Sequence, residues 1–345
     1  MRIALKATTK TVLAITLALF TVGSAFAQTA KEWDDVIAAA KKEGEVIVYT
    51  AYLSPQTNEP IAKAFEKKYG VKVTYLAARG SEIRERIRTE QGANRFIGDL
   101  LHHARSNIAT WAESENNLQK LGAIPNRARL TAPFGKWADD FQVPIFTINY
   151  GILVNTRLVK PEDEPKKWTD LIDPKWQGKL ISDDPRAGGG GAVMFRMLHD
   201  RFGKDYLEKL AAQKPILGRD YAIMARRVAQ GEFPIYIPYI LSDYSNIKGL
   251  PVKFIVPEEG VAYGSYSAAI MRNAPHPNAA RLLADFYLSD EAQTIYAKEA
   301  HGIVVANVEE KFSPEIQTLM KAKPLAKENF PAIDSMYDLA KQIYK

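Results

Sequence analysis

The chain of 345 residues has no cysteine. Disulfides are therefore excluded, and the core must close by burial alone, which a chain of this length can do with enough left for two lobes. Nor can a lipid be carried on an N-terminal cysteine. Charge of one sign is scarce: the formal net charge is +6, and +3 without Arg2, Lys6 and Lys10. Lysines and arginines are interspersed with acids, so no basic run of the kind that grips nucleic acid is present. Internal repeats and low-complexity tracts are absent. A G-x-S-x-G elbow, an H-E-x-x-H pair and a Walker loop are missing too, which removes three common enzyme signatures. The carboxylates Asp183 and Asp184 are adjacent in sequence, and adjacent residues seldom converge on one bond. Long apolar runs are limited to Thr11–Val22, short of the about 20 residues that span a bilayer.

That apolar run follows Arg2, Lys6 and Lys10 and precedes Ala25-Phe26-Ala27. A positive start, an apolar centre and a small-residue site make an export signal, expected over residues 1–27. The remainder is expected free in a bacterial periplasm.

From Glu45 onward the pattern alternates between strand and helix. Glu45–Tyr49 reads as an apolar strand, followed by a loop over Thr50–Asn58. A helix then has Pro60 in its first turn and Gly70 at its end. Val71, Val73 and Tyr75 alternate with polar residues as a half-buried strand. Ser81 is a candidate cap for a helix carrying Ile83 and Ile87, Phe96–Leu101 a third strand, and Ser106 or Asn107 the cap of the next helix. Val143–Asn155 is one long extended apolar segment, suited to crossing between lobes. Pro161–Lys179, rich in Pro, Trp and charge, reads as a surface excursion. A second set follows: strands at Lys179–Ser182, Pro234–Ile237, Lys253–Val256 and Ser265–Met271. Its helices are at Ala192–His199, Tyr206–Ala212, Tyr221–Gln230, Asn278–Leu288 and Glu291–Ala300, with a helical tail from Pro314. Such alternation implies a largely parallel α/β sheet covered on both faces, with ligands bound beyond the carboxyl ends of its strands. By position, the loops Ala51–Thr57, Ala78–Ser81 and Ala104–Asn107 become candidates.

Three stretches carry a resemblance: Gly151-Ile-Leu-Val-Asn-Thr156, Trp168 through Lys179, and Asp184-Pro-Arg-Ala-Gly-Gly-Gly-Gly191. With Glu66–Val73, Ala274–Ala280 and Leu288–Gln293, they resemble family 1 extracellular solute-binding proteins over nearly the whole exported chain. Within that family the chain is similar to the ferric-ion-binding-like branch. The resemblance implies a type II periplasmic-binding fold, two αβ lobes joined by hinge strands near Ile145–Asn149 and Glu259–Tyr266. It implies a first lobe of residues 28–146 and 260–312 and a second of 147–259 and 313–345. It also implies a binding protein rather than an enzyme. Its partners would be a small-molecule ligand and an inner-membrane ABC permease, with no nucleic acid, no cofactor and a monomeric state.

The most chemical segment runs from Asp184 and Arg186 through Gly188, Gly189 and Gly190 into a helix. Glycines let backbone N–H groups converge, a helix start favours negative charge, and an arginine can clamp an oxyanion with two bonds. A small organic acid, phosphate ester or phosphonate suits such a site; the bland reading is a tight turn that merely needs glycine. Ser54, Thr57, Arg79, Gly80, Ser81, Arg105 and Ser106 are candidates to face the same cleft, against the reading that the arginines are solvated and the serines caps. Tyr239, Tyr244 and Tyr266 are candidates for stacking or hydrogen bonding, against ordinary packing.

The ferric-binding branch carries adjacent tyrosines after a Gly-Asp or Gly-Glu turn. Here Gly231-Glu232 is followed by Tyr236, Tyr239 and Tyr244, with no Tyr-Tyr pair. No metal site is therefore assigned, and Tyr239 with Tyr244 is the iron alternative. His102 and His103 read as structural, because neighbours on a strand point to opposite faces. A polyamine-type cation binder would need a carboxylate-rich cleft.

Overall fold

The computed structural model describes residues 31–345 except 53, 248, 307, 309–316, 318–321 and 326–332; side chains at 113–114, 244–246 and 333–334 are also outside the description. The export signal expected over residues 1–27, and most of the helical tail expected from Pro314, fall outside the described residues.

Helix α1 (residues 31–43) leads into β1 (Glu45–Thr50), α2 (Pro55–Tyr69), β2 (Lys72–Ala77), α3 (Gly80–Gly92), β3 (Leu100–Ala104), α4 (Arg105–Ser114) and the short α5 (Phe134–Trp137). Strand β4 (Gln142–Asn155) follows, then β5 (Leu180–Asp183), α6 (Gly190–Phe202), α7 (Lys204–Ala212), β6 (Ile216–Gly218), α8 (Tyr221–Ala229), β7 (Ile235–Ile240), β8 (Val252–Ile255) and β9 (Ala262–Ile270). Helices α9 (Pro277–Phe286), α10 (Asp290–Lys298) and α11 (Ile333–Ile343) complete the described chain.

The strands line up as β2-β1-β3-β9-β4-β7-β5-β6, with β8 on β4. β1 pairs in parallel with β2 and β3, and β5 in parallel with β6 and β7. Between these two parallel sets run β4 and β9, antiparallel from Gln142↔Ala269 to Tyr150↔Ala262. The far end of β4 then pairs with β7 and β8. These are two αβ lobes joined by hinge strands, the α/β architecture expected.

Burial explains the layering. All fourteen residues of β4 are buried, so it has no solvent face. Alternate β1 side chains go to opposite cores: Val46 and Val48 to the main one, Tyr49 to a second with Ile83, Ile87, Leu101 and Trp111. A third core in the other lobe gathers Leu153, Ile181, Met224, Val228, Tyr236 and Tyr239. Each fully buried aliphatic side chain contributes about 1.5–3 kcal/mol.

Several boundaries differ from expectation for identifiable reasons. Helix α2 starts at Pro55, with Ser54 at the cap position, so Pro60 lies inside it. Proline suits the first helical position, and Pro55, not Pro60, takes that role. Gly70 ends the helix with φ 71°. The third strand begins at Leu100, because Asp99 instead uses its carboxylate to accept the Ile47 and His276 N–H groups. Helices α3 and α4 start one or more residues before Ser81 and Ser106, so neither serine is the cap. The excursion 161–179 is a string of 3-10 turns that buries Trp168 and Trp176, not a loose loop. The three-residue β6 was not anticipated.

Candidate functional site

The carboxyl ends of both parallel strand sets face the hinge. From the first lobe come the segments after β1, β2 and β3; from the second, those after β5, β6 and β7. This is where the topology of such sheets leaves room for a ligand.

In the second lobe the glycine run does bring backbone donors together. Gly190 N–H donates to the Tyr221 hydroxyl at 2.9 Å, and Gly191 N–H donates to the Asp183 carboxylate. The Tyr221 hydroxyl donates to the same carboxylate at 3.2 Å. Two consecutive amides at the start of α6 thus already hold oxygen atoms, one of them anionic. Glycine is required here by space: a Cβ on Gly191 would come within 2.5 Å of the Asp183 carbonyl oxygen, and one on Gly190 within 2.7 Å of the Tyr150 ring. Gly189, with φ 148°, has the Tyr221 hydroxyl 2.7 Å from where its Cβ would be. Gly188 is exposed.

Burial pushes the Asp183 carboxyl up to about 6, against the stabilising pull of Gly191 and Tyr221. Asp184 behaves oppositely. Burial alone would raise it, yet Arg186 and Arg219 hold it below its ordinary value. Arg186 makes two side-chain bonds to Asp184, at 2.9 and 3.1 Å, and a third to the Tyr344 carbonyl at 3.3 Å. Its guanidinium is thus committed to the loop and to the end of α11.

In the first lobe, Tyr52 anchors an aromatic nest. Its ring meets Phe146, Tyr266, His102 and His301 at centroid distances of 5.2, 5.8, 6.0 and 5.3 Å. Its hydroxyl is 2.6 Å from His301 Nε2 and 3.4 Å from Thr57 Oγ1, and Ser54 Oγ is 3.5 Å from that same Thr57 oxygen. Burial pushes the Tyr52 phenol up to about 12 and lowers both His102 and His301 to about 3. These imidazoles are neutral at pH 7. His103 goes to the other side of β3, against Trp111 and Gly80. The histidine pair is split across the strand, as alternation requires.

The remaining candidates disperse. Arg79 and Ser81 are exposed at the start of α3, and Gly80 packs on His103. Arg105 lies over the Trp137 ring, 5.4 Å from its centroid, and Trp137 stacks on Tyr263. Ser106 is half-buried in the first turn of α4. Tyr239 sits in the second-lobe core against Tyr236 and Phe254. Tyr244 lies on the 3-10 helix Leu241–Ile247, and its side chain is outside the described residues. Tyr266 stacks on Phe146 at 5.1 Å and is half-buried.

Four residues with no motif stand at the centre. Tyr150 (hinge strand β4), Tyr221 (start of α8), Tyr236 (β7) and Asp243 (3-10 helix) surround Asp183, each sensing the charge of others in the set. Tyr150 also senses Tyr266, and Tyr52 senses Asp243, so the set bridges the lobes. All these phenols lie above their ordinary value, first through burial and then through neighbouring carboxylates. Among the described residues no group of three or more His, Cys, Asp or Glu side chains is placed to hold a metal.

A two-lobed α/β receptor, hinged on two crossing strands with its polar residues at the carboxyl strand ends, is the type II periplasmic-binding fold. Residues 49–294 match the family model of the bacterial extracellular solute-binding proteins, and the chain belongs to that family. It is 27% identical over 258 residues to the "Putative 2-aminoethylphosphonate-binding periplasmic protein" of Salmonella typhimurium, covering 70% of this chain and 72% of the relative. Among solved structures it is similar to the periplasmic binding protein AfuA of Actinobacillus pleuropneumoniae with fructose-6-phosphate bound. That match has 25% identity and TM-score 0.65, covering 87% of this chain and 96% of AfuA. Iron-bound HitA of Pseudomonas aeruginosa shares the fold at TM-score 0.70 and 18% identity, covering 87% and 99%. The chain is accordingly a solute-binding protein of an ABC transporter.

Proposed function

We propose that this receptor captures a small anionic solute, an organic acid, phosphate ester or phosphonate, between its lobes in the periplasm and delivers it to an inner-membrane permease. The observation that carries this reading is the pair of amides at Gly190 and Gly191. They converge on one point, next to the Tyr221 hydroxyl, and the point is held by the carboxylate of Asp183. A helix start that receives an internal carboxylate is chemically matched to an external oxyanion. Gly189, Gly190 and Tyr266 belong to this proposed site, with Tyr52, Ser54 and Thr57 on the opposite lobe. Arg79, Arg105 and Ser106 are left on the cleft-facing ends of β2 and β3. Relatives named for an aminoalkylphosphonate and a sugar phosphate agree with the class. The lobe limits proposed are 28–146 with 260–312, and 147–259 with 313–345. The packing of Tyr344 on Phe195 supports the assignment of the tail.

A second reading has its own observation. Tyr150, Tyr221 and Tyr236 with Asp183 and Asp243 offer hard oxygen donors, and several structural neighbours are iron-binding proteins. Ferric ion or a ferric chelate would then be the cargo.

Thermal unfolding of the exported protein against a panel separates the two. The panel holds phosphate esters, phosphonates, di- and tricarboxylates, ferric ion and ferric citrate. A ligand that binds the folded state raises stability by about 2.7 kcal/mol at 100-fold excess over its Kd. A shift with an iron-free oxyanion supports the first reading. A shift confined to the iron samples, with a phenolate-to-iron absorption band, rejects it in favour of the second.

A further inference from the structure

We propose that Asp243 is the cation subsite of this cleft, so that the ligand is zwitterionic: an oxyanion head with a primary ammonium on a short chain. The inference rests on the anion reading above and narrows it.

Three observations carry it. Asp243 lies in the 3-10 helix that continues from β7, three residues past Ile240, and Ile240 is paired with Tyr150 on the hinge strand. Its carboxylate is largely buried, yet no donor or cation among the described residues reaches it; burial acts on it alone, pushing it up to about 6. Burying a carboxylate without a partner costs several kcal/mol, and native structures seldom tolerate it without a use.

The second observation is the Tyr236 hydroxyl. It is fully buried without a hydrogen-bond partner, and it senses both Asp183 and Asp243. An unsatisfied phenol between two carboxylates marks a place where a ligand's polar atoms complete the bonding.

The third is the sign of the surroundings. The charges felt by Tyr150 and Tyr236 are those of phenols and carboxylates, with no arginine or lysine among them. Arg186 is committed to Asp184, and Arg105 is stacked on Trp137. A doubly charged oxyanion alone would meet two acids there. A ligand carrying its own cation neutralises Asp243 while its head replaces Asp183 at the amides. Tyr52, from the opposite lobe, also senses Asp243, so a ligand bound there touches both lobes.

The experiment compares matched pairs by isothermal titration: 2-aminoethylphosphonate against ethylphosphonate, and β-alanine against propionate. In the wild-type protein the amino member of at least one pair is expected to bind ten-fold or more tighter. In Asp243→Asn and Asp243→Ser that ratio should fall to near one. Equal binding within both pairs, with either head group bound, overturns the cation subsite and leaves the anion reading standing. A ratio that survives both substitutions also overturns it. Silence from all four probes together with every other anion of the panel overturns the anion reading and this inference with it.

Discussion

The Tyr52 hydroxyl lies 2.6 Å from Nε2 of His301, joining the loop after β1 to the segment after α10, 249 residues apart in sequence. Both groups are buried, and the other ring nitrogen of His301 has no partner. Tyr52→Phe removes the one hydrogen bond this imidazole makes among the described residues. Leaving a buried polar group unsatisfied costs about 1–3 kcal/mol. Urea denaturation should show a loss in that range, with the m-value unchanged. A loss below about 0.5 kcal/mol would mean the pair is not a structural tie.

Stability should depend on pH through groups of opposite sign. His102 and His301 are lowered to about 3 and His103 to about 4, from 6.5. The unfolded chain therefore binds more protons below pH 6.5, and each histidine withdraws about 1.4 kcal/mol per pH unit as pH falls from there toward its folded value. Asp183 and Asp243 are raised to about 6 from 3.8. Here the folded state binds more protons, so these two acids strengthen the fold as pH falls from about 6 to 4. Guanidinium unfolding of wild type at pH 7, 6, 5 and 4 should show a net decline. The double variant Asp183→Asn/Asp243→Asn should decline more steeply; an unchanged slope would contradict the raised acids.

The glycines at the start of α6 should be intolerant for steric reasons. Gly191→Ala drives a methyl to 2.5 Å from the backbone carbonyl oxygen of Asp183, which cannot yield as a flexible side chain would. A loss of about 1–3 kcal/mol is expected, as for other overpacked sites. Ligand-induced thermal shifts should disappear with it. Gly92→Ala at the end of α3 meets open space and should be neutral or stabilising by up to about 1 kcal/mol. Equal melting temperatures for the two variants would refute the steric argument.

Arg186→Ala should register in stability before it registers in affinity. The side chain holds Asp184 and the Tyr344 carbonyl. Removing it leaves Asp184 largely buried beside the exposed Arg219 alone, and frees the end of α11. The expected result is a lower Tm and faster proteolysis near the C-terminus, with anion affinity changed less than three-fold. A ten-fold affinity loss at unchanged Tm would instead assign the guanidinium to the ligand.

Much of the scaffold was legible because its signals are local. The run Val143–Asn155 could only be a buried crossing strand, and it is β4. Alternation located β1 and β2, and the four glycines located the start of α6. Arg186 was misleading for a local reason: sequence shows a cation beside a glycine loop but not Asp184 folding back onto it two residues away. Tyr150, Tyr221 and Asp243 were not legible at all. Each sits on a different element, and nothing in a spacing of some seventy residues between Tyr150 and Tyr221 says that both reach Asp183. The iron alternative relied on Tyr239, which alternation along β7 carries into the core with Tyr236 rather than onto a free surface.

β4 is an inner strand for both halves of the molecule, flanked by β9 along its first part and by β7 and β8 along its last. The halves are therefore not severable. A cut anywhere in its fourteen buried residues would expose unsatisfied edges on each side at once, and neither fragment would hold a complete sheet. Fragments expressed apart should be insoluble, while the intact chain should melt in a single transition. The same shared strand gives one lobe's movement no path except through the backbone of the other, so a ligand that pulls on either side is felt by both.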